Sequence, residues 1–379
     1  MDTCTAEFAR LSHDLGGLRC DGSPFVTLTN PLAAQHWSMP VIEALLVAGA
    51  AAGLVHAVRR RRRCGDSSNL VIWTASIIAL LLVEPIAYFP HWFGLQDSLG
   101  LTFVHNQFSV QFFFDRLPLY IVAMYPAYTY VSYVLIQRTG ILGRYHPLVG
   151  ATCVAFTFHC LYEVVDTVGV QFRWWVWNQD LSTSVPALGV VPYLNIQAFS
   201  LGIPFGLALL TLVMSKRPAD SGWQLTRHVA VVSVFTWPVM FLSSAPATLL
   251  HLIGVPIVTA RLIATWTLIV CAATVTALAL VNNRRARGET PHPVAVSGDN
   301  FAPVCISVYV VACVAFWAAA LPDYLRAVDH VTPDGAPTGS LAYAITTFVT
   351  SIVLTVACSR TTPRAQGVTT RDSERGRVA

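Results

Sequence analysis

Three ionisable side chains share one stripe of a long apolar stretch of the chain. His159, Glu163 and Asp166 stand at positions i, i+4 and i+7, a spacing that brings them to one face of an α-helix. Ionisable groups this deep in an apolar helix are costly to bury and are functional candidates by default. The pattern predicts a proton-handling site or a ligand pocket. The alternative is a helix end that reaches the lipid headgroups, with His159 hydrogen-bonded to a neighbouring helix.

Metal binding is a third interpretation of the same stripe. His159 and Glu163 form an HxxxE pair, which can supply two ligands, but no HxxxH or HExxH motif accompanies it. We therefore predict neither a metal nor a cofactor. The sequence also lacks P-loop, GxGxxG, GxSxG and DDxxD motifs. Their lack argues against ATP-driven transport, nicotinamide chemistry, serine hydrolysis and magnesium-dependent prenyl transfer.

A further carboxylate, Glu84, lies in an apolar segment beside two prolines. Pro85 and Pro90 interrupt the stretch LLLVEPIAYFPHW, which also contains His91. Broken helices at membrane depth normally line a protein cavity, so Glu84 and His91 are candidates for the same site. The alternative is a simple kink in which Glu84 pairs with an Arg or His of another helix.

A carboxyl group surrounded by Leu, Val, Phe and Trp tends to stay neutral, because burial disfavours its ionised form. A neutral carboxylic acid can protonate an alkene or an epoxide of an apolar substrate. Trp174, Trp175 and Trp177 follow the stripe directly, and aromatic faces stabilise a carbocation by cation–π attraction. The alternative for these tryptophans is an aromatic belt at the membrane interface.

The elements that must position these residues are membrane helices. The chain has 379 residues, of which 54% are hydrophobic and 12% charged, against about 25% charged in an ordinary soluble domain. Apolar runs of about 20 residues are candidate spans, and they predict an all-α polytopic bundle. The nine predicted spans are 39–58, 69–89, 117–136, 147–165, 196–214, 229–250, 259–281, 303–321 and 341–358.

The basic residues predict the orientation of these spans. With the N-terminus outside, 18 of the 24 Lys and Arg residues fall on the cytoplasmic side, including the block Arg59–Arg63. This excess is typical of cytoplasmic loops and, because it lies in short loops, indicates no nucleic-acid partner. We expect a multi-pass protein of the inner (plasma) membrane whose inner halves are almost free of buried charge.

The regions outside the spans divide into a leader, a long connection and a tail. Residues 1–38 form a polar extracytoplasmic leader without the features of a signal peptide, and Cys4 and Cys20 within it can form a disulfide. The connection 90–116 is too apolar for a solvated loop, so it lies in the interface or folds back on the bundle. The basic tail, 359–379, is expected to be disordered.

Residues 156–205 resemble a known family. Acidic residues at a helix end are followed by a W-x-W pair and by G-x-V-P-Y-x-N, which spans Gly189 to Asn195 and opens the next apolar run. This order resembles the polytopic carotenoid hydratases, which add water to terminal double bonds of acyclic carotenoids. The resemblance implies acid-catalysed hydration without a redox cofactor. Asn195 itself is predicted to cap its helix and is also a candidate for binding the substrate.

Together these patterns favour a membrane enzyme that acts on an isoprenoid or other apolar lipid by hydration, isomerisation or cyclisation. We assign Glu163 as the general acid, Asp166 or Glu84 as its partner, His159 as the group that sets its protonation, and the tryptophans as the pocket wall. A permease with the same carboxylates as a relay and a non-catalytic scaffold remain alternatives. An enzyme predicts one closed cavity, and a permease predicts a polar path towards both sides.

Overall fold

The computed structural model describes residues 3–18, 20–181, 184, 186–216, 221–286 and 299–359. Within these ranges nine helices are long and apolar enough to cross a membrane, which confirms the predicted all-α polytopic bundle. The helices are α1 (Ala6–Ser12), α2 (Ser38–Cys64), α3 (Ser68–Tyr88), α4 (Gln96–Leu99), α5 (Leu119–Arg138), α6 (Ile141–Arg144), α7 (Pro147–Gly169), α8 (Ile203–Met214), α9 (Gly222–Leu242), α10 (Ala245–Leu252), α11 (Ile257–Arg285), α12 (Phe301–Leu325) and α13 (Leu341–Ser359). The tail predicted to be disordered lies outside the described residues, apart from Ser359 at the end of α13.

Two helices form the centre of the bundle. In α5 and α7, 83% of the most apolar 18-residue window is buried, against 28–39% in α2, α3, α11, α12 and α13. Helix α7 packs against α5, α8, α11 and α13, and α5 also packs against α2 and α3. The stripe of ionisable residues on α7 therefore lies inside the protein rather than against lipid.

Local sequence explains where the central helices begin. Pro147 occupies the first turn of α7, where its missing N–H costs nothing, and the His146 side chain accepts the Leu148 N–H. The span that contains α8 begins with a π-helical segment, Asn195–Gly202, before it continues as a regular α-helix. Such π-helical segments are rare and are frequent at functional sites.

A folded layer covers the side of the bundle at which α2 and α5 begin and α3 and α7 end. This layer, here called the cap, comprises residues 3–18 and 20–37 together with the connection 89–118. Seven short strands lie in or beside it, namely β1 (Val26–Leu28), β2 (Phe103–His105), β3 (Val110–Phe112), β4 (Leu117–Pro118), β5 (Trp175–Trp177), β6 (Pro186–Leu188) and β7 (Val191–Pro192). They pair as antiparallel sheets in the orders β1-β3-β4, β2-β5 and β6-β7.

The described residues of the leader pack against other parts of the cap. Cys4 and Cys20 form the disulfide that the sequence left open. The Glu7 carboxylate accepts hydrogen bonds from the Leu101 N–H at 2.9 Å and from the Asn178 amide at 2.8 Å. Phe8 is buried beneath the Arg116 guanidinium, which lies 3.5 Å from the centre of its ring. The connection 90–116 packs against the leader and β5, which agrees with the prediction that it folds back on the bundle.

Buried polar residues also join the helices at the opposite, arginine-rich end. His56 bonds Tyr130 at 2.7 Å and Asp299 at 2.9 Å, and Asn69 donates to Tyr130 at 3.2 Å. Arg60 is buried and pairs with Asp66 at 3.3 Å. Arg60 and the half-buried pair His56–Asp299 are thus exceptions to the expectation that the inner halves are almost free of buried charge. The sequence shows only isolated charged residues at the ends of the spans. It does not identify which residues of other helices they pair with.

Candidate functional site

A small cavity of about 30 Å³ lies between the cap and the centre of the bundle. Residues of α3, α5, α7, the two strands β2 and β5, and the π-helical segment all contribute to its lining. Aromatic side chains make up most of the wall: Phe103, Tyr125, Tyr162, Trp175, Trp177 and Phe199. Only Phe199 among these six is half-buried and the others are buried. The cavity has room for about two water molecules, since one water needs about 10–15 Å³.

Glu84 is the candidate carboxylate that lines this cavity directly. Helix α3 runs through Pro85 as far as Tyr88, so the carboxylate stays on a continuous helix. Its Oε2 atom is buried and has no hydrogen-bond partner among the described residues. None of the ion pairs among the described residues joins Glu84 to an Arg or a His, so the predicted pairing is not observed. His91 lies elsewhere, in a turn beside Trp92 with ring centres 5.9 Å apart, and is not part of the cavity wall.

Asp166 reaches the same region through Asn195. The Asn195 amide, which lines the cavity, donates to Asp166 Oδ2 at 2.5 Å. Tyr162, another lining residue, donates to Asn195 Oδ1 at 3.4 Å. Asp166 Oδ1 has no hydrogen-bond partner in the part of the chain that the structure describes. The predicted N-cap role of Asn195 is wrong, because Leu194 holds that position and Asn195 uses its side chain to hold Asp166.

His159 and Glu163 form a second group, directed towards α13 rather than into the cavity wall. The two ring nitrogens of His159 contact Ser200 Oγ at 2.7 Å and the Tyr343 hydroxyl at 2.5 Å. Glu163 Oε1 lies 3.4 Å from His159 Nδ1, and neither carboxylate oxygen accepts a hydrogen bond from the described residues. All three side chains of the predicted stripe are at most 1% exposed. The three side chains are therefore covered by protein, and His159 bonds neighbouring helices, as the alternative for this stripe expected.

The three tryptophans have different surroundings. Trp174 is buried behind the cavity and donates its indole N–H to Ser38 Oγ at 2.8 Å. Trp175 and Trp177 lie on β5, pair with β2, and line the cavity. Their indole N–H groups are buried without partners among the described residues. All three face the protein interior, so they do not form an interfacial belt.

His105 is a lining residue that the sequence did not single out. It lies on β2, where its Nδ1 atom is 2.8 Å from the Tyr120 hydroxyl. Burial lowers the pKa of His105 to about 3, so the imidazole is neutral near pH 7. The only sequence signal was a His–Asn–Gln triplet within an apolar connection, and the triplet does not reveal which residues it faces.

The donor set suits water better than a metal ion. The indole N–H groups of Trp175 and Trp177 and the Oε2 atom of Glu84 have no described partners, and all three residues line the cavity. A buried water typically makes two to four hydrogen bonds, which these groups can supply. In the described ranges, the His, Cys, Asp and Glu side chains form no group of three that could hold a metal.

Comparison with protein families, with curated proteins and with solved structures finds no match to this chain. The resemblance of residues 156–205 to the carotenoid hydratases therefore stays a prediction. Conclusions about function rest on the residues and the geometry of the protein itself.

Proposed function

We propose that the protein is a membrane enzyme that transfers a proton from one of its own carboxyl groups to a double bond of an apolar lipid, with isoprenoids as the substrate class. The observation that carries this proposal is Glu84, a buried carboxyl that lines a small cavity with mostly aromatic walls. Burial favours the neutral acid, and a neutral acid is the proton donor that alkene chemistry requires.

The proposed reaction is a proton transfer and needs no external oxidant or reductant. The Glu84 carboxylic acid gives its proton to one alkene carbon, and the π electrons form the new C–H bond, which leaves a cation on the other carbon. The faces of Tyr125, Tyr162 and Trp175 stabilise this cation. In a hydration, a water oxygen forms the new C–O bond and its proton returns to the carboxylate. In an isomerisation, the neighbouring carbon instead loses a proton to the Glu84 carboxylate, and the electrons of that C–H bond form the new double bond.

The geometry changes the roles that we assign to the acids. Glu84 becomes the proton donor, because it lines the cavity, and Asp166 becomes its partner through Asn195. Glu163 lies behind this layer with His159 and adjusts the charge around Asp166. We place the protein in the plasma membrane with the cap outside, which follows the arginine distribution. The cavity is too small for a whole isoprenoid, so we propose that only the reacting double bond enters it, past Phe199, the half-buried lining residue.

The test is a comparison of extractable lipids from membranes of isoprenoid-supplying host cells, which are grown in ordinary water and then incubated in deuterated water. Hydration, isomerisation and cyclisation all place one solvent hydrogen on carbon, so the product acquires a deuterium that does not wash out. We expect this label with the wild type and a loss of about 10²- to 10⁴-fold with Glu84→Gln, the usual contribution of a general acid.

The matched control is Glu43→Gln. Glu43 is also a buried carboxylate near the cap, but it accepts the backbone N–H groups of Ser109 and Val110 at 3.1 and 3.4 Å, so it has a structural role. With membrane levels matched, the control should keep the labelled product. Lipid profiles that are identical for the wild type, Glu84→Gln and an empty vector would overturn the enzyme proposal.

A second candidate, a proton-coupled permease, is favoured by two hydroxyl groups on α5. Thr129 and Ser132 are fully buried and donate to no partner among the described residues. They lie between Tyr125 at the cavity and Gln137 in the network at the arginine-rich end. A relay predicts that Thr129→Val with Ser132→Ala abolishes proton uptake by proteoliposomes. Uptake that is absent from the wild type itself would exclude this candidate.

A further inference from the structure

An apolar groove of about 220 Å³ lies on the lipid-facing side of the bundle, between α2, α5 and α12. Its walls are aliphatic apart from Phe301, the thiol of Cys305 and two tyrosines, Tyr128 and Tyr309. An engineered cavity of about 150 Å³, roughly two thirds of this volume, is enough to bind benzene in another protein. The groove is therefore large enough to take part of a hydrocarbon chain.

The groove exists because α2 presents small side chains at this level. Ala48, Gly49 and Ala52 line it, and Ala48 and Ala52 are exposed. A Cβ atom added to Gly49 would meet only the Ala127 Cβ, at 3.5 Å. Large residues at these positions would fill the space, so the shape of the groove depends on α2.

The same face of α2 becomes basic towards its end. Leu45, Ala52, Arg59 and Arg63 stand at i, i+7, i+14 and i+18, which returns each residue to one face of a helix. Arg59 and Arg63 are exposed, and no described carboxylate forms an ion pair with either of them. At a rise of about 1.5 Å per residue, Arg59 lies roughly 10 Å beyond Ala52 along the helix.

Two carboxylates at this end of the bundle are already engaged, and one of them, Asp66, pairs with Arg60 at 3.3 Å. Asp299 accepts from His56 at 2.9 Å and from the Phe301 N–H at 3.0 Å. The His56 ring stacks on the Phe301 ring with centres 4.4 Å apart. These contacts hold Phe301, a lining residue, in place at this end of the groove. Because Asp299 is used in them, the positive charge of Arg59 and Arg63 has no described carboxylate to balance it.

We infer that the groove is a binding site for one anionic glycerophospholipid, with an acyl chain along Ala48 and Ala52 and its phosphate on Arg59 and Arg63. The charge of the arginines selects the anionic headgroup, because cationic side chains beside a membrane attract anionic lipids. The site is separate from the cavity that contains Glu84, and it does not depend on the proposed enzyme activity.

The experiment uses the purified full-length protein after extensive washing in neutral detergent. Phosphatidylglycerol or phosphatidylcholine with identical acyl chains is added, and bound lipid is counted by native mass spectrometry while the unfolding temperature is followed. We expect one phosphatidylglycerol per chain, a rise in unfolding temperature, and at least a fivefold preference over phosphatidylcholine.

Two pairs of variants divide the site into its parts. Arg59→Gln with Arg63→Gln should remove the preference for phosphatidylglycerol, whereas Arg61→Gln with Arg62→Gln, which removes the same charge from other faces of α2, should keep it. Ala48→Leu with Ala52→Leu should lower binding of both lipids by filling the groove. Ala51→Leu, an exposed neighbour outside the groove, should leave binding unchanged.

Three results would overturn the inference. Equal retention of both lipids would make the groove an unselective contact with the bilayer. Equal loss of preference in both arginine pairs would assign the effect to net charge rather than to the site. A change from a dimer to a monomer in Ala48→Leu with Ala52→Leu, without any change in bound lipid, would assign the groove to a second copy of the chain.

Discussion

His105 shows how the surroundings of one residue set its charge. It is packed against Tyr88, Tyr120 and Trp175, with ring centres 5.7–6.0 Å apart. Burial in this aromatic shell lowers its pKa to about 3, because a cation there would lose its hydration. A neutral imidazole beside the cavity can accept or donate a hydrogen bond without adding charge near Glu84.

This burial predicts how stability depends on pH. The unfolded chain accepts a proton on His105 below about pH 6.5, whereas the folded protein does not until about pH 3. The unfolded state therefore binds more protons in this window, and stability falls as the pH drops from 6.5 towards 3, by about 1.4 kcal/mol per pH unit. Neutral and mildly alkaline conditions leave this contribution unchanged.

The measurement is thermal unfolding of the detergent-solubilised protein at pH 7 and at pH 5. His105→Gln should lose less stability between these two pH values than the wild type, since it has no proton to gain. His330→Gln, at an exposed position of the chain, should behave like the wild type. An acid sensitivity that is the same in His105→Gln and in the wild type would contradict the prediction.

Two buried carboxylates on neighbouring helices have opposite surroundings. Glu43 on α2 accepts two backbone N–H groups of the cap, whereas Glu84 on α3 leaves Oε2 without a described partner. Buried polar atoms are normally hydrogen-bonded, so each exception needs an explanation. A satisfied carboxylate is explained by the fold, while an unsatisfied one at a cavity points to a bound molecule or to a reaction.

At the scale of elements, the end of α7 determines the position of one cavity wall. Helix α7 stops at Gly169, and β5 begins six residues later at Trp175. A Cβ atom on Gly169 would come within 2.4 Å of the Trp175 ring and 2.9 Å of the Trp174 ring. The glycine is therefore required because the two tryptophans pack directly on the helix backbone.

Gly169→Ala should displace Trp175 and deform the cavity. Overpacking of this kind costs about 1–3 kcal/mol of stability, which a protein of this size should tolerate. We expect formation of the deuterium-labelled product to fall at least tenfold while the helical circular dichroism is retained. Gly143→Ala is the control, because its added Cβ would meet no atom within 4 Å. Normal product formation by folded Gly169→Ala would show that Trp175 does not shape the site.

Helices and strands differed in how well the sequence predicted them. Each membrane helix needs about 20 apolar residues, a signal strong enough to locate all nine spans. Strands β2 and β5 have three residues each and pair Phe103 with Trp177 across a separation of 74 residues. A strand this short has no recognisable alternation of its own. Its existence depends on a partner that the local sequence does not identify.

At the scale of the whole molecule, the arginine-rich ends and the cap lie on opposite sides of the bundle. Cys64 is exposed at the end of α2, directly after the block Arg59–Arg63. If that end is cytoplasmic, a membrane-impermeant maleimide should label Cys64 in inside-out vesicles and not in intact cells. Labelling in intact cells would reverse the proposed orientation.

Cys64→Ala is the control for this measurement. Another exposed free cysteine, Cys271, lies within the span formed by α11, where lipid limits access for a polar reagent. Any signal that remains in Cys64→Ala therefore measures labelling at other thiols. The difference between the two proteins reports the side on which Cys64 lies.

The candidate site was predictable in part. Costly residues within apolar spans, Glu84 and Asp166 above all, were visible because charge is rare there. The sequence did not predict that the stripe on α7 separates into two groups of residues. The contacts of His159 that cause this separation, with Ser200 and Tyr343, lie 41 and 184 positions away along the chain. Tyr125 and Phe199 were also missed, since aromatic residues in membrane helices are too common to stand out.

The cap also determines the order in which the protein can assemble. Arg10 and Glu7 bond Asn178 across 168 and 171 positions of the chain, so the segment synthesised first finds its partners only after α7 has been made. In the proposed orientation, the N-terminal segment crosses the membrane early and stays on the far side without these partners. The leader therefore packs against the segment that follows β5 late in biogenesis. Until then, this side of the cavity has no cover from the leader.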